Sequence, residues 1–227
     1  MIFDKDGTLI DFDKMWGAWA RQFGARLDAV VGRPVSPDVF ATIGFDPTTG
    51  HVAPAGLLAT GTMAGIQETV ARVLRRWCPS IAAARRATGA AWLVPDPAAL
   101  AVPRGDLSAV FRRLRGDGRR LAVITTDDRI PTDATLRALG IRAYVEAIVC
   151  GDDGFAVKPA PDAVVAVCQA FRTAPSRVAV VGDTPADLAM GREADVGLVI
   201  GVRGGIGSED DLAIADVVID SVEALVD

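Results

Sequence analysis

The chain has 227 residues, half of them hydrophobic and 23% charged, enough for one large domain or a main domain carrying a smaller one, and too apolar for a disordered segment. Its net charge is -5 and no basic stripe appears, which argues against nucleic acid as a partner. Three scattered cysteines, Cys78, Cys150 and Cys168, have neither disulfide-framework nor zinc-ligand spacing and read as buried thiols of a reducing cytoplasm. Acids at positions 4 and 6 argue against a signal peptide, and no apolar run approaches the roughly 20 residues needed to span a bilayer.

In chain order, the first apolar run is Met1–Phe3, followed at once by Asp4, Lys5, Asp6, Gly7 and Thr8. From Met15 the positions Trp16, Trp19, Ala20, Phe23, Leu27, Val30 and Val31 recur at helical spacing, with Asp13 as N-cap and Gly32 as stop. Ser36-Pro37 starts a further helix, "FDPTTGHVAPAGLLATGT" reads as loop, and Thr62 precedes a helical face of Met63, Ile66, Val70, Val73, Leu74 and Trp77. "WLVPDPAALAVPRGD", with Pro95, Pro97 and Pro103, reads as a return linker. After it strand and helix alternate. Helical patterns lie at Leu107–Leu114, at Ala134–Leu139 closed by Gly140, and at Val164–Phe171. Strand runs lie at Leu121–Ile124, Ala147–Cys150, Val178–Val181, Val196–Ile200 and Val217–Ile219.

Continuous rather than alternating strand runs indicate strands buried on both faces, so the expectation is an α/β fold, a doubly wound parallel sheet with helices on both sides. The helical stretch after the first strand reads as an insert. The expected division is 1–13 and 89–227 for the core and 14–88 for a helical module.

In such sheets ligands bind beyond the carboxyl ends of the strands. Those ends carry Asp4 and Asp6, then Thr125, Thr126, Asp127 and Asp128, then Lys158, then Asp183, Thr184 and Asp187. Asp4 and Asp6, two apart in extended chain, face one side and can address one reacting group, and Gly7 lets the chain turn away. Lys5 between them should face away. Two carboxylates about 4 Å apart repel by about 4 kcal/mol at an effective dielectric near 20, so adding Asp183 calls for a cation or a shared proton. An all-oxygen ligand set selects a hard ion, and Mg²⁺ fits it. Only three of 24 basic residues are lysine, and Lys158, in "KPAPD", sits where an ammonium could reach a phosphoryl oxygen. Asp187, at the third helical position after Thr184-Pro185, reads as a helix cap or a support to the site. His51, the one histidine, lies in the Gly- and Pro-rich loop and reads as solvated; Arg21 and Arg26 read as solvent-facing, and Trp16 and Trp19 as packing.

Taken together, "DKDGT", "VITT", "KPAPD" and "GDTPAD" resemble the four ordered motifs of the haloacid dehalogenase (HAD) superfamily, and "PRGDLSAVFRRLRGDGRRLAVITT" resembles its phosphoglycolate-phosphatase-like members. The resemblance implies a Rossmann-like core with a smaller helical cap inserted after the first motif. It implies Mg²⁺-dependent hydrolysis of a small-molecule phosphomonoester through an aspartyl-phosphate. The setting expected from composition is cytoplasmic, with no nucleic-acid or membrane partner, and the expected state is a monomer or homodimer. Asp4 would be the nucleophile and Asp6 the acid and base. Mg²⁺ would be held by the Asp4 carboxylate, the Asp6 backbone carbonyl and Asp183. Thr125, Thr126 and Lys158 would bind substrate. Thr126 stands where many relatives have Asn, and Asp127 and Asp128 are more acidic than the pattern. The alternatives are a phosphosugar mutase with the same motifs, a dehalogenase, which usually lacks the second acid, and a non-catalytic binding protein, which would have lost the nucleophile or the acid.

Overall fold

The computed structural model describes residues 1–94 and 96–226, so Pro95 of the expected linker lies outside the described residues. Its elements in chain order are β1 (Ile2–Phe3), a π-helical turn (Asp13–Gly17) running into α1 (Ala18–Val31), α2 (Ser36–Ile43), α3 (Leu57–Thr60), α4 (Met63–Leu74), α5 (Ile81–Ala91) and α6 (Pro97–Leu100). These are followed by α7 (Leu107–Gly116), β2 (Leu121–Ile124), α8 (Arg129–Ala138), β3 (Val145–Val149), α9 (Asp162–Phe171), β4 (Ala179–Gly182), α10 (Pro185–Glu193), β5 (Leu198–Val202) and β6 (Val217–Ile219).

The six strands form one parallel sheet in the order β3-β2-β1-β4-β5-β6. β1 is only two residues long, yet it is central: Phe3 pairs with Val123 on one side and Val181 on the other. The chain winds outwards from β1 through β2 to β3 and then returns to β4, so the winding reverses at β1. That reversal opens a crevice beyond the carboxyl ends of β1 and β4. Successive strand residues point to opposite faces. Phe3, Val123 and Val181 pack with Val110, Phe111 and Leu136 on one face, while Ile2, Ala122 and Val180 pack with Val164, Val167 and Met190 on the other. The expected doubly wound α/β sheet is present.

Strand positions agree with the sequence to within two residues, and the shifts have local causes. Val178 and Val196 donate their N–H groups to Pro175 and Gly191 across turns, so the strands begin later, and β4 and β5 run on through the paired Gly182 and Gly201.

Between β1 and β2 the described elements are helical. Trp16, Trp19, Phe23, Leu27, Phe40, Ile66 and Val70 form a core of their own there. Trp19 is fully buried, its ring 4.9 Å from Phe23 and 5.1 Å from Trp92, and its indole N–H donates to the Leu93 carbonyl. Gly32 ends α1 in the left-handed conformation that glycine adopts without strain (φ 75°). Thr62 caps α4 as expected, accepting from the Gly65 N–H at 3.1 Å.

Three local readings are corrected, and one helix was not read. Asp13 does not cap α1; it lies inside the π turn, and Asp11 takes the capping bond, accepting from the Lys14 N–H at 3.1 Å. The segment read as loop holds α3, with Leu58 buried against the helical core, and the linker holds α6. Helix α5 escapes periodicity reading because its buried face is Ala84, Thr88 and Ala91, with little apolar contrast.

The two connectors of the helical segment run side by side. The Asp11 N–H donates to the Val102 carbonyl and the Arg104 N–H to the Leu9 carbonyl, both at 2.9 Å, with an antiparallel bridge between Ile10 and Pro103. Because the helical core centres on Trp19, Trp19→Ala is expected to lower unfolding free energy by about 3–5 kcal/mol in chemical denaturation; a loss below about 1 kcal/mol would contradict the burial described.

Candidate active site

At the carboxyl end of the sheet the motif residues meet. Asp4 follows β1, its N–H still bonded to the Val181 carbonyl of β4. Past Asp6 the chain turns sharply. The Gly7 N–H donates to the Ile10 carbonyl, and Gly7 has φ 96°, where an L side chain is strained. A Cβ there would also stand 2.2 Å from Asp183 Oδ2, so glycine is required twice over.

Asp4, Asp183 and Asp187 gather carboxyl oxygens within 4.8 Å of one another, and all three residues are buried. Lys158 Nζ bridges two of them, donating to Asp187 Oδ1 at 2.6 Å and to Asp4 Oδ1. Asp187 Oδ2 accepts from the Thr184 N–H and hydroxyl at 3.0 and 2.6 Å. Together with the Asp187 N–H to Thr184 bond this is a capping box, so Asp187 caps α10 and also grips Lys158. Asp183 accepts from the Thr8 hydroxyl at 2.7 Å and the Ile206 N–H at 2.8 Å. Asp4 Oδ2 is buried with no hydrogen-bond partner.

The electrostatics follow from burial. Burial, reinforced by Asp187, raises the Asp4 carboxyl well above its ordinary range, only partly opposed by Lys158. Burial and then Asp187 push Asp183 up to about 7. Burial alone would lower the Lys158 ammonium, but Asp187 and Asp4 outweigh it and hold it above the usual lysine value. A buried, unpartnered carboxylate oxygen within a cluster of three acids suits a hard divalent cation.

Asp6 turns elsewhere. Its Oδ1 accepts from the Trp16 indole N–H at 2.8 Å, its Oδ2 lies 3.4 Å from the Thr125 hydroxyl, and Lys5 Nζ stands 2.7–2.8 Å from both oxygens. The expectation that Lys5 faces away is therefore wrong. Its side chain is fully buried and ion-paired with both Asp6 and Asp127, the latter at 3.2 Å. Sequence reasoning placed Asp127 at a strand end without giving it a partner, and gave Thr8 and Trp16 no part in the site. Asp127 is 2% exposed, and burial raises its carboxyl despite Lys5. The signal was there: two unusual charges of opposite sign, Lys5 and Asp127, at the ends of adjacent strands. Trp16, read as packing, does pack on Phe12 and Trp19, but its N–H belongs to Asp6.

Thr126 lines the cavity beside Thr125, along with Asp4, Asp6 and Lys158. His51 lies away from it, 3.5 Å from Asp13, and Arg21 donates to the Pro47 carbonyl over the Phe45 ring. Arg26 reaches the Ala90 carbonyl.

A family model described as haloacid dehalogenase-like hydrolase matches residues 1–195. The chain belongs to this family and is an enzyme of the hydrolase class. Among its relatives, the plasmid-borne phosphoglycolate phosphatase of Cupriavidus necator is 30% identical over 175 residues, 69% of this chain and 75% of that protein. The phosphoglycolate phosphatase of Rhodospirillum rubrum is 32% identical over 117 residues, 52% of this chain and about half (48%) of that protein. The crystal structure of a HAD phosphatase from Thermococcus onnurineus superposes with a TM-score of 0.67 at 16% identity, covering 99% of this chain and 94% of that one, which supports the fold. Among the described residues no helix is long and apolar enough to cross a membrane.

Lys5→Met leaves two carboxylates without their ammonium and is expected to cost about 3–5 kcal/mol of stability by denaturant titration. Asp127→Asn in that background should recover part of the loss, and strict additivity would show that the pair does not interact. Asp183 is ordinarily half-ionised at 3.8 and here at about 7, so between those values the folded state holds a proton that the unfolded state has lost. The metal-free protein should therefore lose stability as pH rises through 7. Melting in EDTA across pH 4.5–8 should show this fall, Asp183→Asn should flatten it, and a divalent cation should raise the melting temperature most at the alkaline end.

Proposed function

We propose that the protein is a Mg²⁺-dependent phosphatase that hydrolyses a small phosphomonoester through an aspartyl-phosphate on Asp4. The observation that carries the reading is the pairing of a buried carboxylate, Asp4, with Lys158 on one oxygen and nothing on the other, at the mouth of the crevice between β1 and β4.

On this reading the Asp4 carboxylate attacks phosphorus while Lys158 and the Thr125 and Thr126 region of the β2 end bind the phosphoryl oxygens. Asp6 gives a proton to the departing alkoxide, then takes one from the water that hydrolyses the acyl-phosphate, returning Asp4 as a carboxylate and releasing inorganic phosphate. Lys5 and Trp16 hold the Asp6 carboxyl in place for both transfers. Asp4, the Asp6 backbone carbonyl and Asp183 would hold the magnesium ion, with Asp187 completing the acid cluster. When bound, the ion supplies charge neutralisation among the acids and polarises the phosphoryl group.

The helical segment serves as a cap. We place its limits at Lys14 and Ala91 rather than at Thr88, because α5 continues through Thr88 to Ala91. The two phosphoglycolate phosphatases among the relatives support the phosphomonoester class.

Asp4→Asn is expected to abolish Mg²⁺-dependent phosphate release from p-nitrophenyl phosphate, by 10³-fold or more on the order of magnitude of losing a nucleophile. EDTA should silence the wild type, and added Mg²⁺ should restore it. Undiminished turnover by Asp4→Asn would refute the assignment, and turnover that resists EDTA would remove the metal from it.

A further inference from the structure

We propose that the leaving group accepted by this site is uncharged and largely apolar, a phosphorylated alkyl or aryl alcohol, and not a carboxylated one such as phosphoglycolate. The inference rests on the phosphatase reading and narrows its substrate.

The site cavity has two unlike walls. One carries the charged groups that would handle phosphate. The other consists of Phe12, Trp16, Leu58, Ala59, Thr60 and Met63, contributed by the helical segment and the connector that leads into it. The side-chain polar hydrogens on this wall are already used: the Trp16 indole N–H donates to Asp6 at 2.8 Å, and the Thr60 hydroxyl donates to the Gly56 carbonyl at 3.0 Å. What faces the leaving group is hydrocarbon and aromatic ring.

Beyond this wall, Thr60 and Ala186 also border an adjoining cleft of about 350 Å³, lined by residues including Pro54, Pro159 and Pro185. The one charged residue on its lining is an acid, Asp211, whose carboxyl is held below its usual range by the Ser208 N–H and hydroxyl. The cleft that shares Thr60 and Ala186 with the site is thus mostly apolar and carries a negative charge on its lining.

The cations of the helical segment that lie nearest in sequence to this wall are committed elsewhere: Lys14, between Phe12 and Trp16 in the chain, is ion-paired with Asp11 at 2.8 Å. Arg21 is bound to the Pro47 carbonyl and the Phe45 ring, and His51 stands by Asp13. Arg72 and Arg85 share Glu68.

A carboxylate entering such a wall loses water and gains no counter-charge, and Asp211 repels it. An apolar group of the same size loses little and gains contact area. Selection on this basis needs no specific recognition of the alcohol, only rejection of charge, which a desolvated pocket does strongly.

The test compares 2-phosphoglycolate with its carboxyl methyl ester, which removes the charge and adds one methyl group, with p-nitrophenyl phosphate as the reference for activity and Mg²⁺ held constant. The expected result is a kcat/KM for the methyl ester about a hundredfold above that for 2-phosphoglycolate, on the scale at which an unpaired buried charge is rejected. Met63→Arg, which adds a guanidinium to the wall, should raise kcat/KM for 2-phosphoglycolate at least about tenfold and leave the ester unimproved. Equal or reversed preference in the wild type, with p-nitrophenyl phosphate turned over, overturns this inference alone. Inertness towards all three esters overturns the phosphatase reading and the inference with it.

Discussion

Five carboxylates, Asp4, Asp6, Asp127, Asp183 and Asp187, crowd the carboxyl end of one sheet with two ammonium groups among them, and the rest of the site depends on how those two are shared. Lys158 is placed between Asp4 and Asp187, Lys5 between Asp6 and Asp127. Asp183 receives neither and is held by a hydroxyl and a backbone N–H. Each lysine therefore ties one residue of the first motif to a later part of the chain: Lys158 joins β1 to α10, and Lys5 joins β1 to the loop after β2. The acids stay unevenly compensated, and that residual charge makes the cluster receptive to a cation.

The sheet and its strand ends were legible in the sequence because buried parallel strands are continuous apolar runs, and the residues after them follow without guesswork once the topology is known. Asp4, Thr125, Lys158 and Asp183 could be placed at one rim for that reason. Lys5 could not, because alternation assigns it to the opposite side from Asp4, and alternation stops applying once β1 ends at Phe3. Past that end Lys5 and Asp6, neighbours in the chain, bring their charged groups together. Trp16 was read correctly as a core residue and incompletely as nothing more; periodicity reports which face is buried, not which single polar atom on that face finds a partner. Alanine-rich α5 was lost to low contrast rather than to ambiguity.

Trp16 links two levels of the molecule. It belongs to the aromatic core of the helical segment through Phe12 and Trp19, and it also fixes the acid of the first motif. The packing of that core and the orientation of Asp6 are thus parts of one arrangement, and the apolar side of the cavity that faces the acid cluster belongs to the same core.

The paired connectors, Leu9–Asp11 beside Val102–Arg104, bring the chain back to within a hydrogen bond of where it left. Residues 12–101 are therefore an excursion with both ends fixed at adjacent points, closed by a short ribbon that packs into both parts, Leu9 against the sheet and Ile10 against the helical core. Its length can change at its exposed loops at little entropic cost, since loop-closure cost grows only slowly with length, while Trp16 keeps its inner side tied to Asp6. The charged and the apolar linings of the cavity are thus drawn from different stretches of the chain that meet at the bond from Trp16 to Asp6.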